Sequence, residues 1–246
     1  MVDKPQSAEL HPGPGFRIRT SFERPDPAVV AGLAAYDTPA ISDLMNRLYA
    51  MSSGIQCLTG GLSKLAGPAC TVKVFPGDNL MVHKSLDIAR PGDVVVIDTS
   101  SSGMTAVLGD LISTKARHRG IAGFVIDGLV RDLAAIRALE DFPVFARGVT
   151  PIGPLHRGPG EINYLISVGG VVVHPGDVVI GDQNGVVVVP HSIASSLLMR
   201  LESRAEAEAE YKDAVARGDF SNKWVDSLLA QLDTSQERDG TGHDEV

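Results

Sequence analysis

Two apolar runs set the pattern of the chain. DVVVIDTS (93–100) and IAGFVIDG (121–128) are apolar without alternation, rich in β-branched residues and bounded by Gly and Pro turns. That pattern predicts strands buried on both faces. Between them a helical pattern starts near Gly109 and stops near Arg119-Gly120. Upstream, DPAVVAGLAAY (26–36) and PAISDLMNRLYA (39–50) each carry a Pro near a first turn, so both are predicted helices. GPACTVKVF (67–75) reads as a strand after a Gly-Pro turn, and DNLMVHKSLDIA (78–89) as a helix stopped by Arg90-Pro91. RDLAAIRALE (131–140) is a further helix before a strand in PVFARGV (143–149). Helices alternating with buried strands predict an α/β domain.

The later part changes character. PGDVVVID at 91–98 recurs as PGDVVIGD at 175–182, each a Pro-Gly-Asp turn feeding a buried strand. The second copy opens a β-rich stretch in which Asn184-Gly185 marks a hairpin turn. A long helix follows from Ser192 to about Arg217. Leu197, Leu201, Arg204, Glu208, Tyr211 and Val215 recur on it at spacings of four and three. That mixed seam fits either packing on another subunit beside a polar pocket or a half-solvated face. NKWVDSLLAQ (222–231), with the only tryptophan, closes the sequence as a short helix. Residues 1–20 read as a loose arm, 21–232 as one α/β domain with added terminal helices, and 233–246 as a polar tail.

Composition narrows the function classes. With 43% hydrophobic and 21% charged residues, the chain is an ordinary globular one. A formal charge of −8 argues against a general nucleic-acid binder, which needs a basic face, but leaves room for a small basic pocket. No run approaches a membrane span, and the first residues lack the apolar core of a signal peptide. Two cysteines, Cys57 and Cys70, form no metal or disulfide pattern, which points to a reducing cytoplasm. The seven histidines are scattered, with no pair at ligand spacing. There is no GxSxG elbow, no P-loop and no GxGxxG after a strand.

The stretch 109–132 carries the chemistry. Gly109, Asp110, Leu111 and Ile112 stand where a loop hands over to a helix, and first-turn N–H groups attract an anion. The next strand delivers Arg131-Asp132 at its carboxyl end, where α/β folds bind ligands. Arg grips a carboxylate with two parallel hydrogen bonds, and a lone Asp with waters holds Mg²⁺. The plainer alternative makes Asp110 and Asp132 helix-start carboxylates and leaves Arg131 solvated.

Asp110, twenty residues, then Arg131-Asp132 resembles the D-x20-R-D signature of the RraA-like family. LAGPACTVKVFPGDN, ARPGDVVVID, GIAGFVIDGLVRD, FPVFARGVTP and VHPGDVVIGDQNGVVVVP resemble its landmarks in family order, over roughly residues 37–217. The family contains 4-hydroxy-4-methyl-2-oxoglutarate and 4-carboxy-4-hydroxy-2-oxoadipate aldolases, together with regulators of ribonuclease E. The resemblance implies a swivelling β/β/α, phosphohistidine-domain-like fold assembled as trimers or hexamers. For the aldolase branch it implies cleavage or decarboxylation of a small 2-oxo acid through a pyruvate enolate, with Mg²⁺ or Mn²⁺ and no Schiff base. Carried over, Asp132 becomes the metal ligand and Arg131 the group on the carboxylate and C2 oxygen. The amides of Gly109, Asp110, Leu111 and Ile112 hold the other carboxylate oxygen, and Asp110 orients water. A neighbouring subunit's Glu, here Glu208 or Glu206, becomes a base. The competing expectation is a non-catalytic protein that binds ribonuclease E. A methyltransferase label also used in the family lacks a nucleotide site here. The non-pyruvate half of the substrate is expected to meet loops such as SSGIQCLTGG (52–61).

Overall fold

The structure is a computed structural model and describes residues 14–60 and 64–232. Contacts divide the chain at Leu201/Glu202 into two units.

In the first unit the β-branched runs become a parallel ladder. Strands β1 (Phe16–Ile18), β2 (Gln56–Cys57), β3 (Leu65–Val74) and β4 (Val94–Asp98) come before β5 (Ala106–Leu108), β6 (Gly123–Asp127), β7 (Leu129–Val130) and β8 (Val144–Ala146). β3, β4, β6 and β8 lie side by side and parallel, with Cys70 opposite Val95 and Val95 opposite Phe124. Every residue of β4 and β6 is buried, as an unalternating apolar run requires.

The two faces of that ladder are covered differently. Val95, Ile97, Phe124 and Ile126 pack with side chains of α3 (Leu80–Ser85), α4 (Asp110–His118) and α5 (Leu133–Arg137). Val94, Val96, Val125 and Phe145 point the other way. They meet β11 (Ile166–Val168), β12 (Val171–Val173), β13 (Val178–Asp182) and β14 (Gly185–Val189). Helices therefore line one face and hairpins the other, a mixed α/β domain. A third cluster joins α1 (Pro27–Ala34) and α2 (Thr38–Leu44) to β13, β14 and the start of α6 (Ala194–Ala216). The expected hairpin at Asn184-Gly185 is present, with Asp182 opposite Gly185.

The Pro-Gly-Asp echo is one turn used twice. Gly92 and Gly176 sit at φ 86° and 90°, a region that favours glycine. The following Asp accepts the backbone N–H three residues back: Arg90 to Asp93 at 2.8 Å, and His174 to Asp177 at 2.8 Å.

Some boundaries differ from the pattern. The loose arm expected over 1–20 gives way by Phe16 to β1, which pairs with β10 (Gly160–Ile162) because Glu161 accepts bonds from Gly15 and Arg17. Residues 1–13 and the polar tail 233–246 lie outside the described residues. The helix expected through Ala50 stops at Leu44, as Asn46 and Arg47 adopt positive φ. The stretch read as a loop before Gly109 contains β5, and the strand expected over 121–128 ends at Asp127. Its continuation, β7, lies between β5 and β9 (Gly148–Val149) in a separate parallel sheet. Gly128 permits the change of sheet, since a Cβ there would fall 3.0 Å from Thr99 Cγ2 and closer still to its hydroxyl.

In the second unit, the rest of α6 and α7 (Lys223–Gln231) are helical as expected. The seam divides at the same boundary: Leu197 and Leu201 are buried in the third cluster, whereas Arg204, Glu208, Tyr211 and Val215 are exposed. No described helix is long and apolar enough to cross a membrane.

Candidate functional site

The small sheet explains why residues 109 and 131–132 meet. β5 and β7 are parallel neighbours, and the Arg131 N–H bonds Leu108 O at 3.0 Å. Both strands therefore end at one level, with Gly109-Asp110 leaving one and Arg131-Asp132 leaving the other. Gly109 is buried between them. A Cβ on it would stand 2.9 Å from Arg131 Cγ and would run into Asp132 Oδ2. A hydrogen at position 109 is what leaves room for both side chains.

Asp132 has φ 55° and ψ 38°, the left-handed region. Asp and Asn tolerate it better than other side chains, and such strain gathers at functional sites. It occupies the N-cap position of α5 yet makes no capping hydrogen bond. The helix-start reading therefore holds for its position, while its side chain is left uncapped and free for another partner. Its Oδ2 lies instead 3.2 Å from Arg131 Nε, with both side chains about two-fifths exposed (42% and 40%). The far end of Arg131 is shaped by a second glycine: a Cβ on Gly153 would fall 2.7 Å from Nη1.

Asp110 opens α4 as its first residue, which agrees with the helix-start reading as well as with the site. Its Oδ1 accepts the N–H of Leu111 at 2.7 Å. That is a correction to the four-amide cradle: Leu111 donates to its neighbour, so an anion can use that amide only after Asp110 turns away. The other first-turn amides, of Asp110 and Ile112, have no intrahelical acceptor. A cavity of about 220 Å³ lies here, lined by Gly109, Asp110, Leu111, Ile112 and Arg131. Asp132 borders Gly109 and Arg131 without lining it.

Sequence reasoning missed the rest of the lining. Asn79 just before α3, His83 on α3 and His156 of the loop after β9 complete the cavity with Leu108 and Pro154. The histidines dismissed as scattered stand with ring centres 5.5 Å apart in a T-shaped contact. Burial, with His156 and Lys115 beside it, holds His83 below the usual imidazole range. His156 Nδ1 lies 2.6 Å from Asn79 Oδ1. Only the neighbouring PGDN turn hinted at this, since Asn79 and His83 share the stretch that follows it.

The remaining expected residues lie elsewhere. Glu208 belongs to the second unit and pairs with Lys212 at 2.9 Å, and Glu206 is exposed on the same helix. The loop from Ser52 lines a different hollow of about 600 Å³, with Cys57 and Gln183. It is larger than the first, but no charged residue lines it, so size does not select the site.

The family model for "RraA-like: Aldolase/RraA" matches residues 38–188. The chain belongs to the RraA-like family. That match contains the whole of the cavity described above. A relative from Halalkalibacterium halodurans named "Putative 4-hydroxy-4-methyl-2-oxoglutarate aldolase" is 42% identical over 173 residues, 70% of this chain and 81% of its own. Among solved structures, RraAS2 of Streptomyces coelicolor, described as an unusual member of the RNase ES inhibitor RraA protein family, is 29% identical. It matches with a TM-score of 0.72 over 78% of this chain and 99% of that one. The RNA-processing inhibitor RraA from Thermus thermophilis is 32% identical, with a TM-score of 0.58 over 63% and 93%.

Proposed function

We propose that this RraA-like chain is a divalent-metal-dependent carbon–carbon lyase. Its substrates on this reading are 4-hydroxy-2-oxo diacids, split to pyruvate through its enolate, and oxaloacetate, which it decarboxylates. The observation that carries the reading is the Gly109 gap, which keeps an Arg and an uncapped Asp side by side at a cavity.

Among the described residues no three His, Cys, Asp or Glu gather to hold a metal. A protein-built cage is therefore not the fit to test. One half-exposed carboxylate, Asp132, suits a hard cation that keeps most of its ligands as water and substrate oxygens, as Mg²⁺ or Mn²⁺ does. When bound there, the cation supplies Lewis-acid polarisation of the 2-oxo group. The chain's own residues do the rest. Arg131 grips the substrate carboxylate and meets the negative charge that develops on the C2 oxygen. The Gly109, Asp110 and Ile112 amides, at the positive end of α4, take the other carboxylate oxygen. Asp110 holds water for proton transfer at C3.

The same reading takes the fold as the swivelling β/β/α type, acting in a reducing cytoplasm, with subunits joined as a trimer or hexamer. Glu208 (or Glu206) then serves the neighbouring site. The test is pyruvate release from oxaloacetate and from branched 4-hydroxy-2-oxo diacids. Activity is expected to vanish with EDTA and to return with Mg²⁺ or Mn²⁺. No turnover above the metal-only blank, together with binding to purified ribonuclease E, would move the protein to the inhibitor branch represented by two of its structural relatives.

A further inference from the structure

Asn79 is buried, at 2% exposure, and its orientation is fixed from behind. Its Nδ2 donates to Val107 O at 2.9 Å, so Oδ1 is the atom that faces His156. An amide oxygen only accepts, so His156 Nδ1 must carry the proton at this 2.6 Å bond. In the neutral ring Nε2 is then left with a free lone pair. The loop that carries His156 is pinned on both sides. Leu155 exchanges backbone bonds with Gly77 and Asn79 at 2.8 and 3.0 Å. Asp78 Oδ2 accepts the N–H groups of Arg157 and Gly158 at 2.6 and 2.7 Å. A buried carboxylate (3% exposed) and a buried amide thus hold one exposed imidazole at the cavity that Arg131 also lines. Both rings are only partly covered and line the cavity rather than packing into the core. His83, held below the usual imidazole range by partial burial beside His156 and Lys115, stands edge to face with the His156 ring.

We propose that His156 is the base for the distal half of the substrate, with Asn79 as its positioning residue and His83 packed against its ring. This rests on the lyase reading above and deepens it. Nε2 takes the proton of the C4 hydroxyl, and the O–H electron pair becomes the new C4 carbonyl bond. The C3–C4 bond breaks, and its pair moves to form the C2–C3 double bond, leaving negative charge on the C2 oxygen beside Arg131. C3 then takes a proton from water at Asp110, and the proton on Nε2 returns to solvent. Pyruvate and a carbonyl product result, with no oxidant or reductant. Oxaloacetate has no C4 hydroxyl, so its decarboxylation needs Arg131 and Asp132 but not this base.

That asymmetry is the test. His156→Gln and His156→Phe, with Mg²⁺, should lower aldol cleavage by about 10²- to 10⁴-fold, the usual contribution of general acid–base catalysis, and lower oxaloacetate decarboxylation far less, since that substrate has no hydroxyl proton for the base to take. Asn79→Asp, which still accepts from Nδ1, should retain cleavage better than Asn79→Leu. Equal loss of both reactions, or of neither, overturns the assignment to His156. A wild-type protein with neither activity overturns the lyase reading first and this inference with it. One readout needs no turnover: imidazole ¹⁵N correlation spectra should place the His156 proton on Nδ1, and in Asn79→Leu that preference should disappear. A proton on Nε2 in the wild type overturns the proposal whatever the kinetics.

Discussion

Gly109→Ala separates the fold from the chemistry better than any charge removal. The backbone there has φ −144° and ψ −157°, extended values that alanine adopts freely. The substitution therefore adds no backbone strain, and at an N-cap position it costs from a few tenths to about 1 kcal/mol. The side chains are another matter. Carbon atoms pack at about 3.5–4.0 Å, so Arg131 Cγ, 2.9 Å from the new methyl, must retreat by about 0.6–1.1 Å. Asp132 Oδ2 must move further still. A misplacement of about 1 Å costs a catalytic group on the order of 10²-fold. The expected result is a fall of that size in kcat for oxaloacetate and for a 4-hydroxy-2-oxo diacid alike. A shift of about 1 kcal/mol moves Tm by only about 2–4 °C in a chain of this size. Calorimetry and pyruvate-coupled kinetics on one preparation measure both. Wild-type kcat with an unchanged Tm would refute the claim that position 109 sets the Arg131–Asp132 geometry.

Other substitutions probe the same junction and its support. Asp132→Asn keeps a side chain that tolerates the left-handed backbone, so stability should stay within about 0.5 kcal/mol. Activity at limiting Mg²⁺ should fall and be partly restored by excess metal; unchanged metal dependence would remove the ligand role. Arg131→Lys keeps the charge but loses the fork, and should cost on the order of 10²–10³ in kcat and raise KM. A two- or threefold loss would place Arg131 away from the developing charge. Asp127→Asn weakens the half-buried pair with Arg147 and the bond from Gly169 at 2.6 Å, and should destabilise the fold by about 1–3 kcal/mol in a urea titration. Burial alone pushes the Asp127 carboxyl up, but Arg147, the Gly169 amide and Ser101 together hold it below the usual range. Its contribution is therefore complete above the ordinary Asp value of about 3.9 and is lost as pH falls below it. If the loss of stability on acidification were as steep in Asp127→Asn as in the wild type, that contribution would be absent. Burial also raises the Cys70 thiol to about 12, so a thiol reagent at pH 8 should leave Cys70 unmodified until the protein unfolds.

The parts of this fold that could be read in advance follow from local rules with one dominant cause. The strand at Val94–Asp98 had to be buried on both faces because none of its residues is polar before Asp98, and the structure buries all five. The Pro-Gly-Asp turns were legible because glycine at positive φ followed by an Asp that closes on the chain is a local device. Asp110 and Arg131-Asp132 were legible as a pair of strand ends because adjacent parallel strands bring their carboxyl ends together. The sheet they belong to was not. Three strands of two or three residues (Ala106–Leu108, Leu129–Val130, Gly148–Val149) are too short to leave a period in the sequence, and they exist only because each pairs with the next.

The histidines were lost for a different reason. His83 and His156 have no spacing that means anything along the chain, since one stands on a short helix and the other on a loop. What joins them is Asp78, whose role is invisible in sequence. All three Pro-Gly-Asp turns close three residues back through the Asp N–H, onto Phe75, Arg90 and His174 O, and at Asp93 and Asp177 the carboxylate closes there too. Asp78 also follows Pro76-Gly77, but its Oδ2 reaches forward to Arg157 and Gly158. The three carboxylates differ in the distant group each holds: Asp93 pairs with Arg24, Asp177 Oδ1 accepts the His191 N–H, and Asp78 clamps the loop of His156. At Asp78 the chain goes straight into Asn79 and helix α3, so one carboxylate oxygen takes the Leu80 N–H and the other the distant loop. Composition predicts that a Pro-Gly-Asp will bend the chain; only the position of its neighbours decides which distant group the Asp carboxylate then holds, and at Asp78 that is the loop that brings an imidazole to the cavity.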